Sequence, residues 1–350
     1  MAVVLATSRS FGDGSLDLEA RLAAAGHELV RGPSTHELDA LRPALARADA
    51  WIAGTGPVTA AHLDAAPRLR VVARYGVGVE AVDLDAAAAR GIAVANTPGA
   101  NSDAVADHAV GLMLAALRAT ATGDRRVRAG DWSVVRGREL GGLAVGILGF
   151  GRIGQGVARR LSGFGSRLLA VDPYLDADAA SRLGAEAATP ERLAADSELV
   201  TLHAPGGRVV VDDAWLDAVR PGLVLVNTAR ADLVDEHALA RALADGRVAA
   251  YAADTLAGDT RGGASPLLAA ELADRVTVTP HFGAQTVEAV DAMGRIAVDN
   301  VLAVLAGGAP PNAVLLPARA PGLAPAAAGP ASDPDTLASR PATPDQTETP

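Results

Sequence analysis

Apolar residues near the amino terminus fall in short runs, at Val3 to Ala6, Glu28 to Val30, Ala50 to Ala53, Leu69 to Ala73 and Ile92 to Val94, with helix-like stretches between them. A second series follows at Leu143 to Leu148, Leu168 to Val171, Leu199 to Leu202, Leu223 to Val226, Ala249 to Ala253 and Val276 to Val278. Runs of this length and composition predict strands. In the second series their starts lie roughly 24 to 31 residues apart, about what a strand, a crossover helix and two short loops require. The pattern therefore predicts an α/β protein with two doubly wound, parallel sheets. Between the series, Asn101 or Ser102 is placed to cap a helix whose apolar positions Val105, Ala109, Leu112 and Ala116 follow the helical period and link the two halves. Residues 317–350 are a Pro, Ala, Thr and Asp mixture without periodicity, and this tail is expected to be disordered because it buries too little apolar area to offset the entropy of ordering.

The 350-residue length favours two domains over one. Hydrophobic residues make up 49% of the chain but include only 4 Phe, 3 Tyr and 3 Trp, so the cores must be built mainly from Ala, Val and Leu. The formal charge of -10 disperses 41 acidic among 31 basic residues, without a basic stripe to meet a phosphate backbone, which argues against a nucleic-acid partner. No apolar run approaches the ~18 residues that cross a bilayer, and the amino terminus lacks a signal-peptide pattern, so no membrane association is expected and a cytoplasmic location is the default. There is no cysteine, hence no disulfide and no thiolate nucleophile or metal ligand, and no metal site is expected.

The run Leu143 to Leu148 leads directly into Gly149-Phe150-Gly151-Arg152-Ile153-Gly154 and then a helix-like segment with Val157, Ala158 and Leu161. Strand, glycine turn and helix in this order suit a dinucleotide. Gly149 permits the tight turn, Gly151 lets backbone approach a pyrophosphate, Gly154 lets the helix pack on the strand, and the helix amino terminus faces the phosphates. The next apolar run ends in Asp172, placed to accept hydrogen bonds from the adenosine ribose hydroxyls and to repel a 2′-phosphate, which favours NAD over NADP.

These residues resemble the D-isomer-specific 2-hydroxy acid dehydrogenase family, whose members include 3-phosphoglycerate, D-lactate, glyoxylate/hydroxypyruvate and formate dehydrogenases. The resemblance covers roughly residues 1–316 and rests on Arg74-Tyr75-Gly76-Val77-Gly78, Asn96-Thr97-Pro98, the glycine turn, Val226-Asn227-Thr228-Ala229-Arg230 and Thr279-Pro280-His281-Phe282-Gly283-Ala284. It implies a Rossmann NAD-binding domain, residues 99–284, inserted into a flavodoxin-like substrate domain, residues 1–98 and 285–316. It also implies hydride transfer between NAD(H) and a small D-2-hydroxy acid or 2-oxo acid.

The family's catalytic trio transfers to Arg230, Asp259 and His281. Arg230 follows an apolar strand at the edge where ligands collect in open α/β sheets, and its planar guanidinium suits a carboxylate. His281 has a side chain suited to moving one proton near neutral pH. Asp259 stands where relatives usually carry glutamate, five residues after Asp254, and is expected to orient His281. By the same resemblance Arg152, Ile153, Ala204, Thr228, Ala229, Asp254 and Gly283 contact the cofactor, while Arg74, Val77 and Gly78 border the substrate carboxylate. Val77 and Ala204 replace common hydroxyl side chains, and Ala231 a common glycine.

Arg9, after the first strand, either meets a second anionic group such as a phosphate or phosphonate or is simply solvated. No regulatory domain is expected after residue 316. Trp132, in Arg128 to Trp132, resembles the family segment that reaches a second subunit, so a homodimer is expected. The alternative is an NAD-sensing regulatory binding protein on the same scaffold, since fold alone does not establish turnover.

Overall fold

A computed structural model describes residues 1–258 and 265–316. Asp259 and the tail 317–350 lie outside the described residues. The strands are β1 (Val3–Ala6), β2 (Glu28–Arg31), β3 (Ala50–Ala53), β4 (Val71–Arg74), β5 (Ala93–Ala95), β6 (Ala144–Leu148), β7 (Arg167–Val171), β8 (Ala185–Ala187), β9 (Leu199–Leu202), β10 (Leu223–Asn227), β11 (Val248–Ala253), β12 (Val276–Val278) and β13 (Ala313–Leu315). They form two sheets, ordered β13-β5-β4-β3-β1-β2 and β12-β11-β10-β9-β6-β7-β8. The first contains the flavodoxin-like order and the second the dinucleotide-binding order with one further strand, and each reverses direction beside its first strand, where ligand crevices open.

Both sheets are covered on both faces, which explains why their central strands read as continuous apolar runs. Alternation divides each strand between two cores. Val4, Ala6, Ile52, Val71 and Ala73 face one core with Met293, Val298 and Val301 of the helix Val287–Leu305. Leu5, Trp51, Val72 and Val94 face the other, with Leu41, Leu45 and Leu63. In the second sheet Val145, Ile147, Val224 and Val226 pack under the helices Ser102–Leu117 and Arg152–Leu161, and Val200, Leu202, Leu223 and Leu225 pack against the helix Glu236–Asp245. Among the described residues no single helix is long and apolar enough to cross a membrane.

The structure departs from the sequence expectation in three places. β8 is an Ala-Glu-Ala strand with no β-branched or aromatic residue, held by its parallel pairing with β7, so periodicity gave no sign of it. β13 pairs antiparallel with β5, so the first sheet is parallel except at this edge. The helix Ser102–Leu117 forms as expected, but Asn101 has φ -112° and ψ 7°, outside the extended geometry of a side-chain cap, and neither it nor Ser102 makes one.

A buried polar network ties the crossovers of the first sheet together. Thr7 Oγ1 accepts from Trp51 Nε1 at 2.9 Å and from the Gly54 amide at 3.3 Å, so its own proton goes to His36 Nε2 at 2.7 Å. His36 Nδ1 then donates to the Pro57 carbonyl at 3.0 Å, which fixes the neutral ring in one tautomer. His36 sits at φ 57°, a conformation that non-glycine residues rarely adopt.

Burial lowers the His36 pKa to about 4, against partial support from its bond to Pro57. Between that value and about 6.5 the unfolded chain binds a proton that the folded chain refuses, so this contribution to stability is present above pH ~6.5 and is lost as pH falls toward 4. Unfolding free energy measured by urea titration should drop by about 1–2 kcal/mol from this residue between pH 7 and pH 5. His36→Asn should be less stable at pH 7 by about 1–3 kcal/mol and show a correspondingly shallower loss toward pH 5.

Candidate active site

The glycine turn is dictated by close approach. Gly149 lies at φ 95°, and a Cβ there would stand 2.5 Å from the Ala204 amide nitrogen and the His203 carbonyl carbon. A Cβ on Gly154 would collide with the Gly149 carbonyl oxygen, so strand and helix pack together only with glycine at that position. Gly151 differs: nothing lies within 4 Å of a Cβ placed on it. Its exposed backbone opens outward at the start of the helix Arg152–Leu161, where amides and helix dipole favour an anion. Asp172, just past β7, is pinned to this turn, since its carboxylate accepts from the Phe150 amide and from the Tyr174 amide, both at 2.8 Å. Each oxygen keeps a lone pair for a further donor. Thr228, after β10, is buried and its hydroxyl has no partner among the described residues. Ile153 and Ala204 are half-buried, Ala229 is buried, and the Arg152 side chain runs past Gly99. The open face at Gly151, the orphaned Thr228 hydroxyl and the tethered Asp172 fit a dinucleotide.

Beyond the turn, three loops at the carboxyl edge of the second sheet are joined by two side chains. Asn227, the fully buried last residue of β10, accepts from the Ala229 amide at 2.9 Å and donates through Nδ2 to the Arg230 carbonyl at 2.8 Å, which fixes the backbone that carries Arg230. The Asp254 amide donates to the Asn227 carbonyl at 2.9 Å. The Asp254 carboxylate then accepts from Thr279 Oγ1 at 2.5 Å, the Phe282 amide at 3.0 Å and the Gly283 amide at 2.7 Å. Between those donors His281 sits at φ 54°, half-buried, after a tight turn closed by its amide on the Thr279 carbonyl at 2.9 Å. Because the Thr279 proton is spent on Asp254, His108 Nε2 must donate to Thr279 Oγ1, at 2.9 Å. The His108 ring also stacks at a tilt 5.1 Å from Phe282. Burial alone raises the Asp254 pKa, but His108, with Nε2 3.4 Å away, and the hydrogen bonds from Thr279, Gly283 and Phe282 outweigh it and hold the carboxylate below its usual range. It stays charged at the site.

The first sheet contributes the opposite wall. Arg74 is the last residue of β4 rather than the residue after it, and is buried, with Nη1 donating to the Ala53 and Tyr75 carbonyls at 3.2 and 2.9 Å and Nε unpartnered among the described residues. Burial pulls its pKa down to about 10, helped by Arg230 and opposed by Glu80. The Gly76–Gly78 loop is held from below, with Asn96 Nδ2 donating to the Val77 carbonyl at 2.7 Å and the Gly76 amide donating to Thr97 Oγ1 at 3.0 Å. Arg230 crosses between the sheets to pair with Glu80 at 3.5 Å. Arg9, after β1, is exposed. Asp259 is outside the described residues, so the geometry relates Arg230 and His281 through Asp254 and Asn227.

Sequence reasoning passed over Asn96, Thr97, Asn227, His108 and Glu80. The asparagines and threonine lie inside the blocks that carry the family resemblance, at or just past a strand end, where a short polar side chain can clamp the backbone. His108 and Glu80 carry no such local signal.

Residues 110–283 match a family model described as the NAD binding domain of D-isomer specific 2-hydroxyacid dehydrogenase. The chain is 41% identical over 300 residues to the D-3-phosphoglycerate dehydrogenase of Mycobacterium tuberculosis, covering 84% of this chain and 56% of that protein. It thus spans little more than half the length of such relatives. It is 38% identical over 263 residues to the glyoxylate reductase of Pyrococcus furiosus, covering 71% of this chain and 76% of the relative. Among solved structures, D-lactate dehydrogenase from Aquifex aeolicus, complexed with NAD and lactic acid, superimposes with a TM-score of 0.75 at 25% identity, covering 87% of this chain and 96% of the other.

The glycines separate folding from binding in a direct test. Gly151→Ala should unfold within about 0.5 kcal/mol of the parent while NADH affinity, followed by fluorescence titration, falls at least tenfold. Gly154→Ala should lose about 1–3 kcal/mol of stability as well, because its methyl group meets backbone.

Proposed function

This chain belongs to the D-isomer specific 2-hydroxyacid dehydrogenase family, and from that premise we propose that it is an NAD-dependent oxidoreductase interconverting a small 2-oxo acid and its D-2-hydroxy acid. The observation that carries the reading is the clamp of Asn227 and Asp254, which fixes Arg230 and the left-handed His281 backbone on neighbouring loops beside the glycine turn. We take residues 99–284 as the cofactor domain and 1–98 with 285–316 as the substrate domain, with the chemistry in the crevice between their sheets.

NADH, when bound, supplies the hydride. The chain's own part is position, charge and one proton. Gly149, Gly151, Gly154, Arg152 and Ile153 form the pyrophosphate turn, and Asp172 takes the ribose hydroxyls and disfavours a 2′-phosphate. Thr228, Ala229, Ala204, Asp254 and Gly283 line the nicotinamide end. Arg230 holds the substrate carboxylate through paired N–H donors, over the Val77 and Gly78 backbone and with Arg74 beneath, and polarises the carbonyl. The His281 imidazolium gives its proton to the carbonyl oxygen as the carbon is reduced, and the neutral ring takes it back in the oxidative direction. Asp259 is the proposed orienting acid for His281, one methylene shorter than the usual glutamate.

A homodimer completes the proposal. Residues 131–139 form neither helix nor strand and present Trp132, 79% exposed, and Val134, 93% exposed, side chains whose desolvation favours association.

NADH oxidation should occur with at least one acid from a panel of glyoxylate, hydroxypyruvate, pyruvate, 3-phosphohydroxypyruvate and phosphonopyruvate. His281→Ala should lower kcat about 10²–10⁴-fold with NADH binding retained, and NADPH should be used at least tenfold less well. NADH binding without turnover on any acid would instead favour a sensor. Light scattering should give a dimer mass for the parent and a monomer for Trp132→Ala with Val134→Asp, and a monomeric parent would refute the dimer.

A further inference from the structure

Glu80 is a charged group beside Arg230 to which the proposed mechanism gives no task. It lies two residues beyond Gly78, on the loop after β4, and reaches across to Arg230 of the other sheet at 3.5 Å. Both side chains fold over the same face of Gly78, where an added Cβ would collide with Arg230 Nη2 and with Glu80 Oε2. Arg74 stands close enough behind them that both of their charges act on it. A carboxylate thus rests against the guanidinium assigned to the substrate carboxylate.

We infer that Glu80 is a specificity-determining residue, a resident carboxylate that a 2-oxo acid must displace from Arg230 and whose charge makes the cleft prefer monoanionic over dianionic substrates. The inference rests on the reading of Arg230 as the carboxylate-binding residue. Arg74 and Arg230 present two positive charges here and Glu80 offsets one of them, so the Glu80 charge opposes a dianion more than a monoanion. This runs against a phosphate- or phosphonate-bearing substrate at Arg230, the chemistry that Arg9 alone would suggest. The repulsion scales with substrate charge, so removing it multiplies affinity for a dianion by the square of the factor gained by a monoanion. Glu80 and Arg230 are both partly exposed, with side chains 52% and 38% accessible, which keeps the factor small.

The experiment compares the parent with Glu80→Gln and Glu80→Asp, using NADH with pyruvate or glyoxylate as monoanions and oxaloacetate as a dianion. Glu80→Gln should lower KM about threefold for the monoanions and about tenfold for oxaloacetate, and the gap should narrow as salt rises. Glu80→Asp, which keeps the charge, should retain the parental ratio even if its own fold is weakened. Equal effects on both classes, or a higher KM for oxaloacetate in Glu80→Gln, would overturn the inference. If the parent turns over neither these three acids nor any other of the wider panel, the proposed function fails separately. Calorimetric binding of oxamate and oxalate to the NADH-loaded proteins then decides Glu80 alone: oxalate must gain more than oxamate in Glu80→Gln, and any other result, including no binding, sinks the idea.

Discussion

The site depends on a buried carboxylate that accepts from three directions at once. Asp254 takes the Thr279 hydroxyl, the Phe282 amide and the Gly283 amide, with His108 close by, while its own amide is held by Asn227. A buried charge is costly unless hydrogen bonds compensate it, and here those bonds do so well enough to keep the carboxylate ionised. The same bonds hold His281 in a left-handed conformation that an isolated chain would rarely visit. The left-handed backbone at His281 and the charge on Asp254 are two aspects of one arrangement.

Asn227 extends that arrangement to Arg230. Its amide closes the turn from both ends, so the guanidinium projects from a fixed backbone although its own side chain is half-exposed. The first sheet repeats the device, with Asn96 and Thr97 supporting the Gly76–Gly78 loop under the Arg230 guanidinium. Each wall of the cleft is a glycine-bearing or strained loop held by a short polar side chain at a strand end. Rigid strands carry the supports, and the loops carry the candidate site residues.

The charges that meet in the cleft come from elements far apart in the chain. Arg74 and Glu80 belong to the first sheet and Arg230 to the second, and their proximity exists only because the two carboxyl edges face one crevice. An ion pair of this exposure adds little to stability.

Much of the fold was legible in the sequence, because burial on both faces of a parallel sheet writes each central strand as an apolar run and each crossover helix as a 3.6-residue period. The glycine turn and Asp172 were legible for a related reason: backbone approach without a Cβ and a carboxylate at a strand end are local requirements. Arg230 and His281 were singled out by the resemblance of short blocks, and their catalytic roles belong to the proposal. β8 and β13 were not found, since an Ala-Glu-Ala strand and an antiparallel edge strand owe their conformation to the neighbours they pair with. The Thr7–His36–Trp51 network, the grip of Asp254 on the His281 loop and the Glu80–Arg230 pair were likewise decided only by tertiary structure. Local periodicity specifies which face of an element is buried, but a polar side chain's partner is set by the order of the strands and by which loops that order brings together.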